Sequence, residues 1–158
     1  MKRQHMLSFL FLSLLFVTNF VSAQENDVIA IKNEINKWMR AYNHKDLNNS
    51  VAIFAEEYIG LYYGHSDQTS KTIRNENESI FKNKFLKATL SMEADEIVSS
   101  GDLAYVNIKQ KWAFKPSISK TPQIVYEKGI LIFKKQSDGK WKIIRSSTFP
   151  VNAPKETK

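Results

Sequence analysis

Cysteine is absent from all 158 residues. No disulfide can form, no N-terminal cysteine can carry a lipid, and no thiolate can hold a metal. A glycine-rich phosphate loop, a Gly-x-Ser-x-Gly elbow and a His-Glu-x-x-His pair are missing too, which sets aside nucleotide-binding and serine-hydrolase readings. Ser117-Ile118-Ser119-Lys120 matches a Ser-x-x-Lys pattern, but it lies in a polar loop without the further motifs that such serine enzymes carry. The chain has no internal repeat, no low-complexity tract and no linker. Nor do its basic residues form a stripe. The formal charge is +7, yet the lysines are scattered, alternate with acids in the helical segments and end in Lys155-Glu156-Thr157-Lys158. Nucleic acid is therefore not an expected partner.

What is present begins with a leader pattern. Lys2 and Arg3 precede Met6 to Val21, a run without charge, and Val21-Ser22-Ala23 follows. Basic, apolar and small-residue segments in that order are those of a secretory signal peptide. Residues 1–23 are expected to be removed between Ala23 and Gln24, leaving a periplasmic or extracellular protein with no membrane contact after cleavage. A retained anchor is the alternative, since the run approaches the roughly 18 residues a spanning helix needs. Ser8, Ser13, Thr18 and Asn19 dilute it. Residues 24–158 then form a single domain, large enough to bury roughly two-thirds of its unfolded surface without staples, with a loose tail after about residue 150.

Within that domain the hydrophobic period changes along the chain. Val28, Ile31, Ile35, Trp38, Met39 and Tyr42 recur at helical spacing, with Asn26 or Asp27 as a cap. Asp46 caps a second helix carrying Leu47, Val51, Phe54 and Ala55, so the two form a hairpin. Tyr58 to Tyr63 reads as a short strand closed by Gly64, and Ser70 to Lys84 as a third helix. After Phe85 the period becomes two. Leu86 to Val98 predicts a strand with a bulge near Ile97 and Val98, and strands follow over Leu103–Phe114, Gln123–Lys135 and Lys140–Phe149. The predicted class is α+β: a cone-shaped roll with three N-terminal helices on a strongly curved, mainly antiparallel sheet.

This order, the words Ser99-Ser100-Gly101-Asp102-Leu103-Ala104-Tyr105-Val106 and Ile132 to Ile144, and the segment Ile35 to Tyr42 followed by Asp46 resemble the nuclear-transport-factor-2-like superfamily. The likeness is greatest to its SnoaL-like and ketosteroid-isomerase-like domains, and it covers the whole mature chain. The resemblance implies an apolar pocket between helix 1 and the concave face of the sheet, and a homodimer through the outer sheet face. It implies no single activity, because the matched words are structural. Aligned through Ala55-Glu56-Glu57, the general-base position of ketosteroid-isomerase-like enzymes falls on Tyr62, a poor base at neutral pH. Their partner acid falls in the apolar run Gly129 to Ile132. Ketosteroid-isomerase chemistry is therefore not expected, unless Glu56 or Glu57 turned inward from the end of helix 2.

The candidate site residues follow from strand and helix faces. Period two on the last strand groups Trp141, Ile143, Arg145, Ser147 and Phe149, so Arg145 and Ser147 should face inward and Arg145 should meet a protein carboxylate or an acidic ligand. Trp38, Tyr42, Tyr62, Trp112 and Tyr126 supply an aromatic lining; core packing is the plainer role for each. His44 and His65 each stand two residues before an aspartate. His44 fits a helix C-terminus, His65 the mouth of the pocket, and neither pair makes a metal site. Three readings result. One is a binding domain for an apolar or carboxylate-bearing small molecule, without a catalytic dyad, cofactor or metal. Another is a lyase or isomerase using Tyr62, His65 and Arg145, and the third a dimerising interaction module whose pocket is filled by its own side chains.

Overall fold

The computed structural model describes residues 24–62, Gly64 and residues 66–153. The expected signal peptide, His65 and residues 154–158 lie outside the described residues. Helix α1 covers residues 24–43 and buries Ile31, Ile35, Trp38 and Tyr42 along one face, as their spacing of four and three requires. Lys45, at φ 60°, turns the chain. Asp46 then caps α2 (Leu47–Val51), its carboxylate accepting from the Asn49 N–H at 3.1 Å.

The second helix is shorter than its apolar pattern predicts. Phe54 and Ala55 belong to strand β1 (Phe54–Tyr62), because the Ile53 carbonyl already accepts from the Ile143 N–H at 2.8 Å and draws the chain alongside the last strand. Glu56 and Glu57 are accordingly exposed strand residues rather than a helix end. A short β2 (Gln68–Thr69) leads into α3 (Ser70–Lys82), where Thr69 and Thr72 cap one another reciprocally. The meander follows as predicted, with β3 (Leu86–Ser100), β4 (Leu103–Pro116), β5 (Gln123–Lys135) and β6 (Trp141–Val151).

The six strands make one curled, open sheet in the order β2-β1-β6-β5-β4-β3, antiparallel except where β1 runs parallel to β6. Two bulges bend it. The bulge in β3 falls between Ala94 and Glu96, slightly before the expected place. In β6, Phe133 pairs with Ile143 while Ile132 pairs with Arg145, so Ile144 is an extra residue. That residue exchanges the faces of the strand. Trp141 and Ile143 are buried ahead of it, but Ser146 and Thr148 are the buried ones beyond it. The expectation that Arg145, Ser147 and Phe149 share the inward face of Trp141 is thereby corrected: all three are exposed.

Helix α1 is fixed across the hollow of this sheet at both ends. Near its start, Asp27 Oδ1 accepts from Lys135 Nζ at 2.8 Å and from Trp141 Nε1 at 3.3 Å, so Asp27 ties the helix to β5 and β6 rather than capping it. At its end, the Asn43 side chain donates to the Leu90 carbonyl at 2.9 Å and accepts from the Leu90 N–H at 2.8 Å. The amide thus stands in for a neighbouring strand on the free edge of β3. Asn43→Ala leaves both Leu90 groups unpaired in a half-buried place. We expect a loss of about 1–3 kcal/mol, read as a lower urea midpoint with an unchanged slope.

Candidate functional site

Alternation along the strands decides what faces the helices. On β4 the inward series is Ala104, Val106, Ile108, Gln110, Trp112 and Phe114; on β5 it is Val125, Glu127, Gly129, Leu131 and Phe133. Toward the middle of the sheet these side chains meet α1 and close the core. Toward the Pro116 and Gln123 ends they part from it, and a recess of about 560 Å³ opens between the sheet, α1 and α3. Trp38 and Tyr42 from α1, Ile73 and Ile80 from α3, and Trp112 and Phe114 from β4 form its apolar walls. That volume lies within the range of small-molecule sites.

Three sets of polar groups stand among these walls. Glu127 on β5 pairs in register with Gln110 on β4, and its Oε2 accepts both from Gln110 Nε2 and from Trp112 Nε1, the latter at 3.0 Å. The hydroxyls of Tyr58, Tyr62 and Ser146 form a triangle, with Tyr58 to Ser146 at 2.7 Å, Tyr58 to Tyr62 at 2.9 Å and Tyr62 to Ser146 at 3.2 Å. Last, the Tyr42 hydroxyl, Gln68 Oε1 and Thr148 Oγ1 are buried without a hydrogen-bond partner among the described residues, and all three residues line the recess. Each such atom costs about 1–3 kcal/mol until something pairs with it.

Burial pushes the Tyr42 phenol up to about 12. It pushes Tyr58 further in the same direction, and the adjacent Tyr62 adds to the shift. Both phenols therefore stay protonated at neutral pH and cannot act as bases there. Gly60 makes the hydroxyl triangle possible. It lies on the inward face between the two tyrosines, and a Cβ there would run into the Tyr58 hydroxyl and meet the Tyr62 ring at 2.7 Å.

Of the residues expected to line the site, Trp38, Tyr42, Tyr62 and Trp112 do. Arg145 does not: its Nη1 donates outside the recess to the Glu57 carbonyl at 2.9 Å and to the Ile144 carbonyl at 2.6 Å. Ser147 is exposed beside it. Tyr126 sits on the outer face of the sheet, with Lys111 Nζ 5.8 Å from its ring centroid. The trio Tyr62, His65 and Arg145 is not brought together among the described residues, since Tyr62 and Arg145 face opposite sides and His65 is not described.

Glu127, Gln110 and Ser146 were missed by the reading from sequence. For two of them a signal was there. Gln110 shares parity with Val106, Ile108 and Trp112, and Glu127 with Val125 and Leu131, so polar side chains at inward positions of adjacent strands could have been picked out. The place of Ser146 depends on the bulge, which periodicity does not reveal.

A further groove of about 510 Å³ runs outside the α1–α2 hairpin. Within it Lys37 pairs with Glu34 at 2.6 Å, His44 Nδ1 donates to the Arg40 carbonyl at 2.7 Å, and Asp46 caps α2. Among the described residues no group of three or more His, Asp or Glu side chains could hold a metal ion, and no helix is long and apolar enough to cross a membrane.

No known family profile matches the sequence, and no curated protein does either. Solved structures do. A ketosteroid isomerase-like protein from Erwinia carotovora atroseptica superposes with a TM-score of 0.65 at 16% identity, over 79% of this chain and 96% of its own. A candidate scytalone dehydratase from Novosphingobium aromaticivorans gives 0.71 at 15% identity, over 89% and 91%. A protein of the same organism, nuclear-transport-factor-2-like with a cystatin-like fold, gives 0.66 at 12% identity, over 82% and 85%. The chain has the cone fold of these proteins, as its motifs suggest.

Two outcomes follow from the packing of the tyrosines. Gly60→Ala should cost about 1–3 kcal/mol through overpacking. In the double variant with Tyr58→Phe, which removes the obstructing hydroxyl, the loss should be smaller than the sum of the two single losses in a denaturation cycle. Stability should also fall in strong base. With folded values raised above the ordinary 10, the tyrosines stabilise fully below pH 10, and that contribution is lost as pH rises from 10 toward about 12 for Tyr42. In Tyr42→Phe the decline over that interval should be shallower by about 1.4 kcal/mol per pH unit, measured by urea titration at successive pH values.

Proposed function

We propose that the domain binds a small, largely apolar molecule in the recess between α1, α3 and the concave face of the sheet. One observation carries this reading. The recess combines apolar walls with a few convergent polar groups, and buried polar atoms on its lining residues have no partner among the described residues. A core shaped for packing alone would close such a space, because interiors are filled to crystal-like density. Trp38 and Trp112 stand as walls around it rather than as a plug. The aromatic faces suit flat or ring-bearing ligands, and the Tyr62 and Ser146 hydroxyls offer hydrogen bonds to a neutral polar group on such a ligand.

N-phenyl-1-naphthylamine, an uncharged apolar fluorophore, tests the reading. We expect saturable enhancement of its emission with one site per chain, together with a rise in thermal midpoint that grows with probe concentration. Ile80→Trp, which extends an α3 wall into the recess, should abolish that signal while the circular dichroism spectrum is retained. Absence of saturation in the unaltered protein, or undiminished binding in a folded Ile80→Trp variant, would rule the recess out.

A further inference from the structure

The charges of the recess run against those of the chain. Lys and Arg outnumber Asp and Glu by 23 to 16 over the whole sequence. Yet the described residues lining the recess include Glu76 and Glu127 and no Lys, Arg or His. Arg145, the cation expected inside, is turned away by the β6 bulge.

Glu127 is held in an unusual way for a structural carboxylate. Gln110 Nε2 and Trp112 Nε1 both donate to Oε2, whereas Oε1 accepts from none of the described residues. No ion pair among the described residues includes Glu127. Two neutral N–H groups orient the anion without neutralising it, and a partly desolvated carboxylate lacking a counter-charge is costly. A cation delivered to Oε1 would remove that cost. The surroundings favour one as well: the Trp112 ring that donates to Glu127 packs edge-on to Tyr42 at 5.1 Å and stacks along Phe114 at 6.3 Å. Aromatic faces attract ammonium groups, more so where water is excluded. Glu76, on the α3 side of the recess, adds a second negative charge.

We propose that the recess selects an amine-bearing apolar molecule, its ammonium group donating to Glu127 Oε1 and its hydrocarbon body lying against Trp38, Tyr42 and Trp112. This assignment rests on the recess being the ligand site and adds the charge of the ligand. It reverses the charge of the carboxylate-bearing ligand that was one of the two partners expected for an inward Arg145.

Three probes with one ring system separate the charge from the apolar body: naphthalen-2-ylmethylamine, naphthalen-2-ylmethanol and 2-naphthoate, each titrated calorimetrically into the full protein at pH 7 and low salt. The amine should bind at least tenfold more tightly than the alcohol, with naphthoate weakest. Glu127→Gln should remove the advantage of the amine over the alcohol. Glu127→Asp keeps the charge on a shorter arm, and it serves if the glutamine variant does not fold; the amine should retain a reduced advantage there. Equal binding of amine and alcohol, or a preference for naphthoate, overturns the charge assignment while ligand binding in the recess stands. An advantage unchanged in either variant overturns the role of Glu127. No binding of any of the three overturns both the assignment and the reading it rests on.

Discussion

Everything in the site depends on α1 being held across the sheet at a fixed distance. Between Asp27 and Asn43 the helix spans roughly 24 Å. One end is tied to Lys135 and Trp141 on β5 and β6, the other to the free edge of β3. The first attachment is on the two central strands and the second on the β3 edge, so the helix acts as a strut across that half of the curl. Ile31 and Ile35 fill the space beneath the first half of the strut. Beneath the second half the sheet bends away, and Trp38 and Tyr42 become walls instead of filler. The recess is thus a result of curvature set against a straight rod.

Curvature in turn has local causes. The bulges in β3 and β6 supply part of it, and Gly129 another part. A Cβ at Gly129 would collide with the Ser147 carbonyl and lie 2.7 Å from the Thr148 side chain, so β5 and β6 approach there more closely than any side chain permits. Gly129 lies between Glu127 and Leu131 on the inward face. It marks the place where the strand leaves the packed core and carries Glu127 to the recess. Backbone chemistry at one residue therefore helps to set where a charge two residues away is displayed.

Much of this architecture was legible in the sequence. The change of period after Phe85, the turn at Ser99 to Asp102 and the hairpin at Gln136 to Gly139 identify the meander, and the spacing of Ile31, Ile35, Trp38 and Tyr42 gives the buried face of α1. The bounds of β5 were read correctly because both its flanks carry turn residues. The end of α2 was not, since Phe54 and Ala55 continue a helical spacing while a tertiary bond from the Ile53 carbonyl commits them to a strand. At the recess, Trp38, Tyr42 and Trp112 could be placed because each lies on an uninterrupted helix or strand, and Tyr62 because it lies beyond the irregularity of β1, in phase with Tyr58. Arg145 and Ser147 were assigned to the wrong face for one reason: pairing register depends on the partner strand, and Ile144 looks like any other strand residue until Ile132 and Phe133 are set opposite it.

That single supernumerary residue also decides which side chains the hollow receives. Upstream of it β6 is locked by Trp141 and Ile143 in the core, so the segment beyond could rotate by one position without disturbing topology. Loss of the bulge would present a guanidinium and a different hydroxyl to the hollow in place of Ser146 and Thr148, turning an acid-lined chamber into one of mixed charge. The chemistry facing the hollow thus depends on strand pairing at one residue, while helices, strand order and core stay as they are.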